Sequence, residues 1–327
     1  MKLKTILTLR KPFLFLALLV LVCSCDQKQK EKDDTSIEEV VEKPPFFKFS
    51  LAQWSLHKSM RDDHTIDPID FAKKASEMGF EGLEYVSQLY NKKLETLGMD
   101  ALLDSLKAQS NHYGMKNLLI MVDGEGALAS PDESERNEAV ENHKKWVDAA
   151  VFLGCHSIRV NLFGSTDAAV WKIAAHDGLS KLATYAKEKN INVIVENHGY
   201  LSSNAALLVE VIEAVNATNC GTLPDFGNFC LKREGGERWN TPCIEEYDRY
   251  VGVKEMMPFA KAVSAKSHDF DKNGNETAID YVKMLQIVKD AGYTGYIGVE
   301  YEGSILNEPD GIEATKNLLI NATKKLN

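Results

Sequence analysis

The sequence predicts a (β/α)8 barrel, and three observations lead to that prediction. Short β-rich runs alternate with amphipathic stretches from Phe47 onward, which is typical of a parallel sheet with crossover helices. Eight strands can be counted, with seven helices between them and a closing helix over Gly311 to Lys324, as in a barrel of this kind. No Gly-x-Gly-x-x-Gly follows any strand, which disfavours the alternative, a doubly wound open sheet.

The first residues are typical of an export signal. Basic side chains at positions 2, 4, 10 and 11 precede the apolar run 13–22, which is shorter than the roughly 20 residues of a membrane-spanning helix. The run ends in Leu21-Val22-Cys23-Ser24-Cys25, which resembles a bacterial lipobox. We therefore expect a signal peptide over residues 1–24 and an exported lipoprotein of the periplasm or cell envelope, anchored by lipid at Cys25. A cleaved signal without lipid is the alternative.

A tether and then the barrel domain follow this signal. Residues 25–46 are rich in Lys, Glu, Asp and Gln, a composition that cannot offset the entropy cost of ordering, so this segment is predicted to be flexible. The barrel domain is predicted over residues 47–327. Within it, Cys230 and Cys243 fall in one loop-like stretch, and they are the pair that a disulfide would join in an oxidising compartment. Free thiols at all four barrel cysteines are the alternative.

The predicted elements follow in regular order. Asp67-Pro68 is a helix start, with an N-cap residue ahead of a proline in the first turn. Four helical stretches end in a glycine that leads into the next strand: Gly79, Gly114, Gly154 and Gly292. The eight predicted strands lie at 49–54, 83–86, 117–122, 157–162, 192–197, 221–225, 262–268 and 296–301.

Polar side chains collect where these strands end. The carboxyl ends of barrel strands carry the active site in enzymes of this fold. Side chains alternate along a strand, so residues two apart face the barrel mouth together. Several carboxylates that converge inside a barrel are costly unless they are paired or bind a cation, which points to a metal. The residues concerned are Glu84, Arg159, Asn161, Glu196, His198, Asp225, Lys266, His268 and Glu300.

Four short motifs resemble the sugar phosphate isomerase/epimerase family of xylose isomerase-like TIM barrels. They are Val195-Glu196-Asn197-His198, Pro224-Asp225-Phe226-Gly227-Asn228, Lys266-Ser267-His268-Asp269 and Gly298-Val299-Glu300. The resemblance covers about residues 47–327. It implies that one divalent metal ion is bound by Glu196, Asp225, His268 and Glu300.

The resemblance also implies a mechanism. Glu196 and Glu300 would act as general base and acid on a keto-sugar, through a metal-stabilised enediolate. Three carboxylates and one imidazole form a mainly oxygen site, which favours Mn²⁺, with Mg²⁺, Co²⁺, Fe²⁺ or Zn²⁺ as alternatives. Two positions depart from the ketose 3-epimerases: Asn228 stands where they often have His, and Gly274 where they often have Arg. The identity of the sugar therefore stays open.

Further residues are candidates for contact with substrate. A purely structural role is the alternative for those at strand ends. Glu84 would then belong to the scaffold, Arg159 and Asn161 would form a hydrogen-bond network inside the barrel, and Lys266 would neutralise surplus carboxylate charge. The stretch 226–247 is too long for an ordinary βα loop and is expected to cover the barrel mouth. The predicted substrate-binding residues are Glu84, Arg159, Asn161, His198, Asn228, Arg238, Trp239 and Lys266.

Charge limits the classes of partner. Lys and Arg number 38 against 48 Asp and Glu, a formal charge of −10, which repels phosphate backbones and makes a nucleic-acid partner unexpected. The expected partner is a small carbohydrate, with membrane contact only through the lipid anchor. We expect a metal-dependent sugar isomerase or epimerase. A 3-keto-glycoside lyase with the same site and a non-catalytic sugar-binding lipoprotein are the alternatives.

Overall fold

The computed structural model describes residues 43–326. The predicted signal peptide, Cys25 and most of the tether lie outside these residues. The described part of the chain forms ten strands: β1 Lys48–Ala52, β2 Gly82–Val86, β3 Lys116–Met121, β4 Ser157–Val160, β5 Asn192–Glu196, β6 Cys220–Leu223, β7 Cys230–Arg233, β8 Cys243–Glu246, β9 Val263–Ser267 and β10 Tyr296–Tyr301. Eight of them correspond to the predicted strands, whereas β7 and β8 lie within the stretch that was predicted as a covering loop.

The eight predicted strands form one parallel sheet. Its order is β6-β5-β4-β3-β2-β1-β10-β9, and β1 pairs with both β2 and β10. The two ends of the sheet meet through parallel bridges, Thr222 with Ala260 and Asp225 with Ser264. The predicted (β/α)8 barrel is therefore confirmed. Strands β7 and β8 form a separate antiparallel hairpin between β6 and the next helix.

Between residues 43 and 326, eight α-helices surround the sheet. The predicted helix-ending glycines all have positive φ angles, for example 83° at Gly154. Asp67 caps a short 3-10 turn that leads into the first helix, as expected. The last helix starts three residues before its predicted start, because Asn307 caps it and a proline occupies its first turn. The helices are α1 Phe71–Glu77, α2 Asn91–His112, α3 Glu133–Leu153, α4 Ala168–Lys187, α5 Ala205–Val215, α6 Arg249–Met256, α7 Tyr281–Asp290 and α8 Glu308–Lys324.

The core lies inside the barrel and between the sheet and its helices. Ile158, Val193, Val263 and Val299 are fully buried, as expected for strands of a parallel sheet that is covered on both faces. Helices that are consecutive in sequence, such as α3 and α4, pack side by side around this core. Within residues 43–326, no helix is long and apolar enough to cross a membrane.

Phe46, two residues before β1, packs with the barrel domain. The Phe46 ring lies 5.0 Å from the Phe47 ring, and the Lys289 ammonium lies 6.0 Å from the Phe46 ring. Phe46 was assigned to the tether, but its side chain packs against the core.

We predict that a truncated chain beginning at Phe46 folds on its own. Within residues 43–326 the core cluster begins at Phe47 and Phe46 packs on it, so a chain from Phe46 onward keeps the core contacts of β1 that the structure describes. Thermal unfolding followed by circular dichroism should show one cooperative transition within a few degrees of the full chain. Aggregation or a missing transition would show that residues 1–45 contribute to the fold.

Candidate active site

A cavity of about 710 Å³ opens at the carboxyl ends of the barrel strands. This is the end at which the polar residues were predicted to meet, and its volume lies within the range of small-molecule sites. Glu196 and Asp225 lie beneath its floor. The predicted site residues that line it are Arg159, Asn161, His198, Asn228, Trp239, Lys266, His268 and Glu300.

Three buried carboxyl groups form the acidic triad of this site. Glu196 ends β5, Asp225 follows β6, and Glu300 lies in β10. Their side chains each bring a carboxylate oxygen within 4.8 Å of the others, and the residues are at most 4% exposed. His268 follows β9 and lines the cavity, but it lies outside this triad. The structure thus brings together three of the four predicted metal ligands and places the fourth on the cavity wall.

Crowding sets the protonation of the triad. Ser264 Oγ lies 2.6 Å from Asp225 Oδ2 and 3.0 Å from Glu300 Oε2, and a hydroxyl has one proton to donate. Burial raises the pKa of Asp225 to about 8, and repulsion by Glu196 and Glu300 adds to this, although Lys266 opposes it. Burial also raises the pKa of Glu300. Without a cation, the three groups cannot all ionise at low cost.

Two buried cations offset part of this charge. Arg159 Nε lies 2.9 Å from Glu196 Oε2, and its Nη1 lies 2.9 Å from Asp123 Oδ1. Lys266 Nζ lies 3.1 Å from Glu302 Oε1 and 3.7 Å from Glu300 Oε2. Burial lowers the pKa of both cations, but the carboxylates around them raise it more. This position of Lys266 agrees with the predicted alternative of a neutralising charge.

The remaining charge fits a divalent cation. The triad, Asp123 and Glu302 provide five carboxyl groups against the two cations. The donors are almost all oxygen, which is the chemistry that Mn²⁺ and Mg²⁺ prefer. The residues present therefore suit a divalent ion at the triad, and His268 supplies an imidazole on the same side of the cavity.

A hydrogen-bonded chain fixes the state of His198. Asn161 Nδ2 donates to Asp123 Oδ1 at 2.6 Å, so Asn161 Oδ1 is left to accept from His198 Nδ1 at 2.8 Å. Burial, followed by the charges of Arg159 and Lys266, lowers the pKa of His198 to about 4. His198 is therefore neutral, with its proton on Nδ1 and Nε2 free to accept a hydrogen bond. Arg159 and Asn161 take part in the interior network that was predicted as their alternative role.

Asn197 has a function in the site that the sequence reasoning missed. It points to the opposite face of the strand from Glu196 and His198. Its Oδ1 accepts from the Asp225 backbone N–H at 2.7 Å, and its Nδ2 donates to the carbonyls of Asp225 and Asn228. These bonds hold the β6 end in place beside β5. Strand alternation within Glu196-Asn197-His198 was the signal that could have found it.

Asp123 and Glu302 were also missed. Asp123 follows β3 closely, and Glu302 directly follows β10. Burial opposes ionisation of both, but Arg159 lowers the pKa of Asp123, and Lys266 lowers that of Glu302 to about 2. The rule that selected polar residues at strand ends applies equally to these two positions.

Glu84 lies elsewhere, and its placement at a strand end is wrong. It occupies the middle of β2 and faces a separate cavity of about 140 Å³ at the other end of the barrel. Ser50 Oγ donates to its Oε1 at 2.6 Å, whereas Oε2 has no hydrogen-bond partner within residues 43–326. Burial raises its pKa to about 8. A Cβ at Gly298 would lie 2.5 Å from this carboxylate, so a larger residue at position 298 would displace the Glu84 side chain.

The hairpin β7–β8 covers one side of the mouth. A disulfide joins Cys230 to Cys243, which is the predicted pair, while Cys155 and Cys220 are buried free thiols. Trp239 lines the cavity. Arg238 does not: its guanidinium carbon lies 4.2 Å from the centre of the Phe163 ring. Arg233 lines the cavity instead.

The chain is similar in sequence to known carbohydrate-active proteins. Residues 72–322 match the family described as xylose isomerase-like TIM barrel. A C-glycoside deglycosidase alpha subunit of Arthrobacter globiformis is 38% identical over 65 residues, which are 19% of this chain and 18% of that protein. The chain thus matches less than a fifth of the length of that curated relative.

Solved structures share the fold over most of the chain. An L-ribulose 3-epimerase has a TM-score of 0.66 at 14% identity and covers 86% of this chain and 97% of its own. A 3-keto-D-glucoside 4-epimerase from E. coli has a TM-score of 0.63 at 13% identity and covers 84% and 99%, respectively. At these identities the likeness concerns the fold alone.

We predict that Glu84→Gln flattens the pH dependence of stability. The folded-state pKa of Glu84 is raised from 4.5 to about 8, so its stabilising contribution is complete below pH 4.5 and is lost as the pH rises toward 8. The free energy of unfolding of the parent should fall across this window, by an amount on the order of a few kcal/mol from this group. Gln stays neutral, so the free energy of unfolding of the Glu84→Gln variant should fall less over the same pH window.

Urea unfolding at pH 5, 6.5 and 8, with EDTA present, measures this difference. Glu210→Gln is the matched control, because Glu210 is exposed and paired only with Lys172 at the surface. Parallel curves for parent and Glu84→Gln would mean that Glu84 is ionised in the folded protein.

Proposed function

The chain belongs to the xylose isomerase-like TIM barrel family, and on that basis we propose that it is a metal-dependent carbohydrate isomerase or epimerase that acts on a keto-sugar. The observation that carries this proposal is the acidic triad beneath a cavity lined by hydrogen-bonding side chains. The sugar epimerases that share the fold support the same class of reaction.

The triad is the proposed metal site. Glu196, Asp225 and Glu300 would hold one divalent ion with His268 as a further ligand, and Mn²⁺ is the preferred ion for this donor set. When bound, such an ion polarises a substrate carbonyl and makes the neighbouring C–H more acidic. Asp225 is fixed for this task, since its Oδ1 accepts from the backbone N–H groups of Gly227 and Asn228 at 2.9 Å.

The two glutamates are the proposed acid/base pair. Glu300 lines the cavity, so its carboxyl faces a bound sugar directly. Glu196 lies deeper, held by Asn228 Nδ2 at 2.8 Å from Oε1 and by Arg159 on Oε2. We infer that Glu300 takes the proton from the substrate carbon and that Glu196 serves the opposite transfer. Proton transfer of this kind needs the group within hydrogen-bond reach of the reacting carbon.

Other residues would orient the sugar. The free Nε2 of His198 accepts from a sugar hydroxyl, and Lys266 and Asn228 donate to sugar oxygens from the cavity floor. Arg159 and Asn161 act mainly by holding Asp123 and His198 in place. These contacts fix which carbon lies against Glu300.

A 3-keto-glycoside lyase is the second candidate. The relative named as a C-glycoside deglycosidase favours it, as do Asn228 and Gly274 in place of the epimerase residues. A ketone at C3 acidifies the proton on C2, and loss of that proton expels the group on C1 as the C1–C2 double bond forms. The same base serves both reactions, so the two candidates differ only in whether the glycosidic bond breaks.

We further propose that the protein is exported and anchored in the cell envelope by lipid at Cys25. The N-terminal sequence supports this proposal, and so does the Cys230–Cys243 disulfide, because disulfides persist mainly in oxidising compartments.

We predict one divalent ion per chain. Elemental analysis after dialysis against MnCl₂ should give about one equivalent, whereas Glu196→Ala combined with Asp225→Ala should bind less than a tenth of that, because two of the three oxygen donors are gone. Glu210→Gln is the surface control. Full metal retention by the double variant would remove the triad as the metal site.

We predict that both glutamates are needed for turnover. Glu300→Gln and Glu196→Gln keep the side-chain size and an oxygen for the metal but cannot exchange protons near neutral pH, so rates should fall about 10²–10⁴-fold. Metal-loaded protein is incubated in D₂O with a panel of ketoses and 3-keto-glycosides, and deuterium entry is followed by NMR. Glu300→Gln should abolish exchange, whereas Glu196→Gln is expected to allow exchange without product.

The products of the same experiment separate the hypotheses. Release of the C1 substituent identifies the lyase, and retention of it with a changed configuration identifies the epimerase. Exchange and turnover by both Gln variants at the parent rate would overturn the two-glutamate mechanism. If the parent protein binds these sugars but exchanges no deuterium, the hypothesis that remains is a non-catalytic sugar-binding lipoprotein.

A further inference from the structure

We propose that the outer part of the cavity is a subsite for an aromatic ring attached to the sugar, so that the substrate class is oxidised aryl glycosides and not free ketoses. This inference rests on the proposed function and adds to it the group that the sugar carries. It follows from the distribution of aromatic and charged side chains around the cavity.

One wall of the outer cavity is aromatic and combines Trp239 of the hairpin with His198 and Phe163 of the loops after β5 and β4. The Trp239 ring lies 4.9 Å from the His198 ring and 6.3 Å from the Phe163 ring, and all three residues line the cavity. Trp239 is 39% exposed, so much of its ring is uncovered in spite of these contacts. Aromatic rings stack on such surfaces with a preference beyond simple area burial.

A second aromatic surface comes from the loop after β1. The rings of Trp54 and His57 are stacked with centroids 4.5 Å apart and an interplanar angle of 11°. The Arg61 guanidinium carbon lies 5.2 Å from the Trp54 ring centre. These three residues line the same cavity as Trp239. The outer cavity is therefore lined by flat groups from two separate loops.

Charge divides the cavity into two regions. The carboxyl groups of Asp123, Glu300 and Glu302 lie with Lys266 and Arg159 on the floor, where a polyhydroxylated ring finds hydrogen-bond partners. The hairpin and the β1 loop contribute one neutral polar residue, Asn240, and otherwise aromatic or basic residues: Trp54, His57, Lys58, Arg61, Arg233 and Trp239. A flat, electron-rich ring such as a phenol ether suits this outer region, because guanidinium and aromatic faces attract it.

The volume agrees with two rings. A cavity of about 710 Å³ lies in the range that takes drug-sized ligands, which bury most of their surface there. A single monosaccharide would leave much of that space to water. A sugar on the floor with an aryl group between the outer walls occupies both regions.

The position of Trp239 depends on the hairpin. Tyr200 donates its hydroxyl to the Gly236 carbonyl at 3.1 Å, Arg238 stacks on Phe163, and Arg233 donates to the Thr241 carbonyl at 2.7 Å. Together with the Cys230–Cys243 disulfide, these contacts hold the tip of the hairpin over the mouth. Arg238 thus attaches the hairpin tip to Phe163 and does not line the cavity.

Binding of two glucosides that carry no ketone tests the subsite apart from catalysis. The probes are 4-methoxyphenyl β-D-glucoside and methyl β-D-glucoside, titrated calorimetrically into the Mn²⁺-loaded protein. The parent should bind the methoxyphenyl glucoside about tenfold more tightly. Trp239→Ala should weaken that probe about 5- to 10-fold and leave the methyl glucoside unchanged, while Trp239→Phe should restore most of the preference.

Ile244→Ala is the matched control, since Ile244 is an exposed apolar residue of the same hairpin that does not line the cavity. It should bind both probes like the parent. Equal affinities of the parent for the two probes, or no binding of either, would overturn the inference. Equal weakening of both probes by Trp239→Ala would do the same, because Trp239 would then contact the sugar. If the protein failed these binding tests but still exchanged deuterium into keto-sugars, the proposed function would stand and only the aryl subsite would be wrong.

Discussion

Five carboxyl groups crowd one end of the barrel, three of them buried and two half-buried, and this crowding is the constraint on which the site depends. Ionised carboxylates in an interior need opposite charge or hydrogen-bond donors within a few ångströms. Arg159 meets this need for Glu196 and Asp123, and Lys266 for Glu300 and Glu302. The five carboxyl groups still outnumber the two cations. A bound divalent cation would stabilise the ionised carboxylates, so fewer of the five groups would need to carry a proton. The charge balance of the site and the metal binding that we propose thus have the same physical origin.

The barrel provides the geometry for this balance. Successive residues of one strand face opposite sides, so Glu196 and His198 point toward the mouth while Asn197 reaches across to the backbone of Asp225. Three consecutive residues thereby supply a carboxylate of the triad, a hydrogen-bond acceptor toward the cavity, and the brace that sets the neighbouring strand end. A one-residue shift of β5 would reverse all three roles.

Local signals in the sequence predicted the fold and a set of polar residues at strand ends, whereas the resemblance to a known family separated the triad from the rest of that set. Alternating strands and helices, glycine helix ends and carboxylates at strand ends are visible without tertiary structure. The depth of a residue along its strand is not visible in this way. Glu84 pairs in register with Ala52, and that pairing places Glu84 in the barrel interior. The hairpin gives a similar case, since its fold decides that Arg233 and Trp239 line the cavity while Arg238 turns to Phe163.

The hairpin shows how a barrel gains a second binding surface without disturbing its core. The hairpin is inserted after β6, where a loop can lengthen without changing the barrel core, and every residue of β8 is exposed. An isolated two-stranded ribbon is marginally stable in water, so this one needs further restraint. A disulfide across a separation of 13 residues contributes about 3 kcal/mol by restricting the unfolded chain. The wall that carries Trp239 is therefore most stable in an oxidising compartment, which connects the outer cavity to the export that the N-terminal sequence predicts.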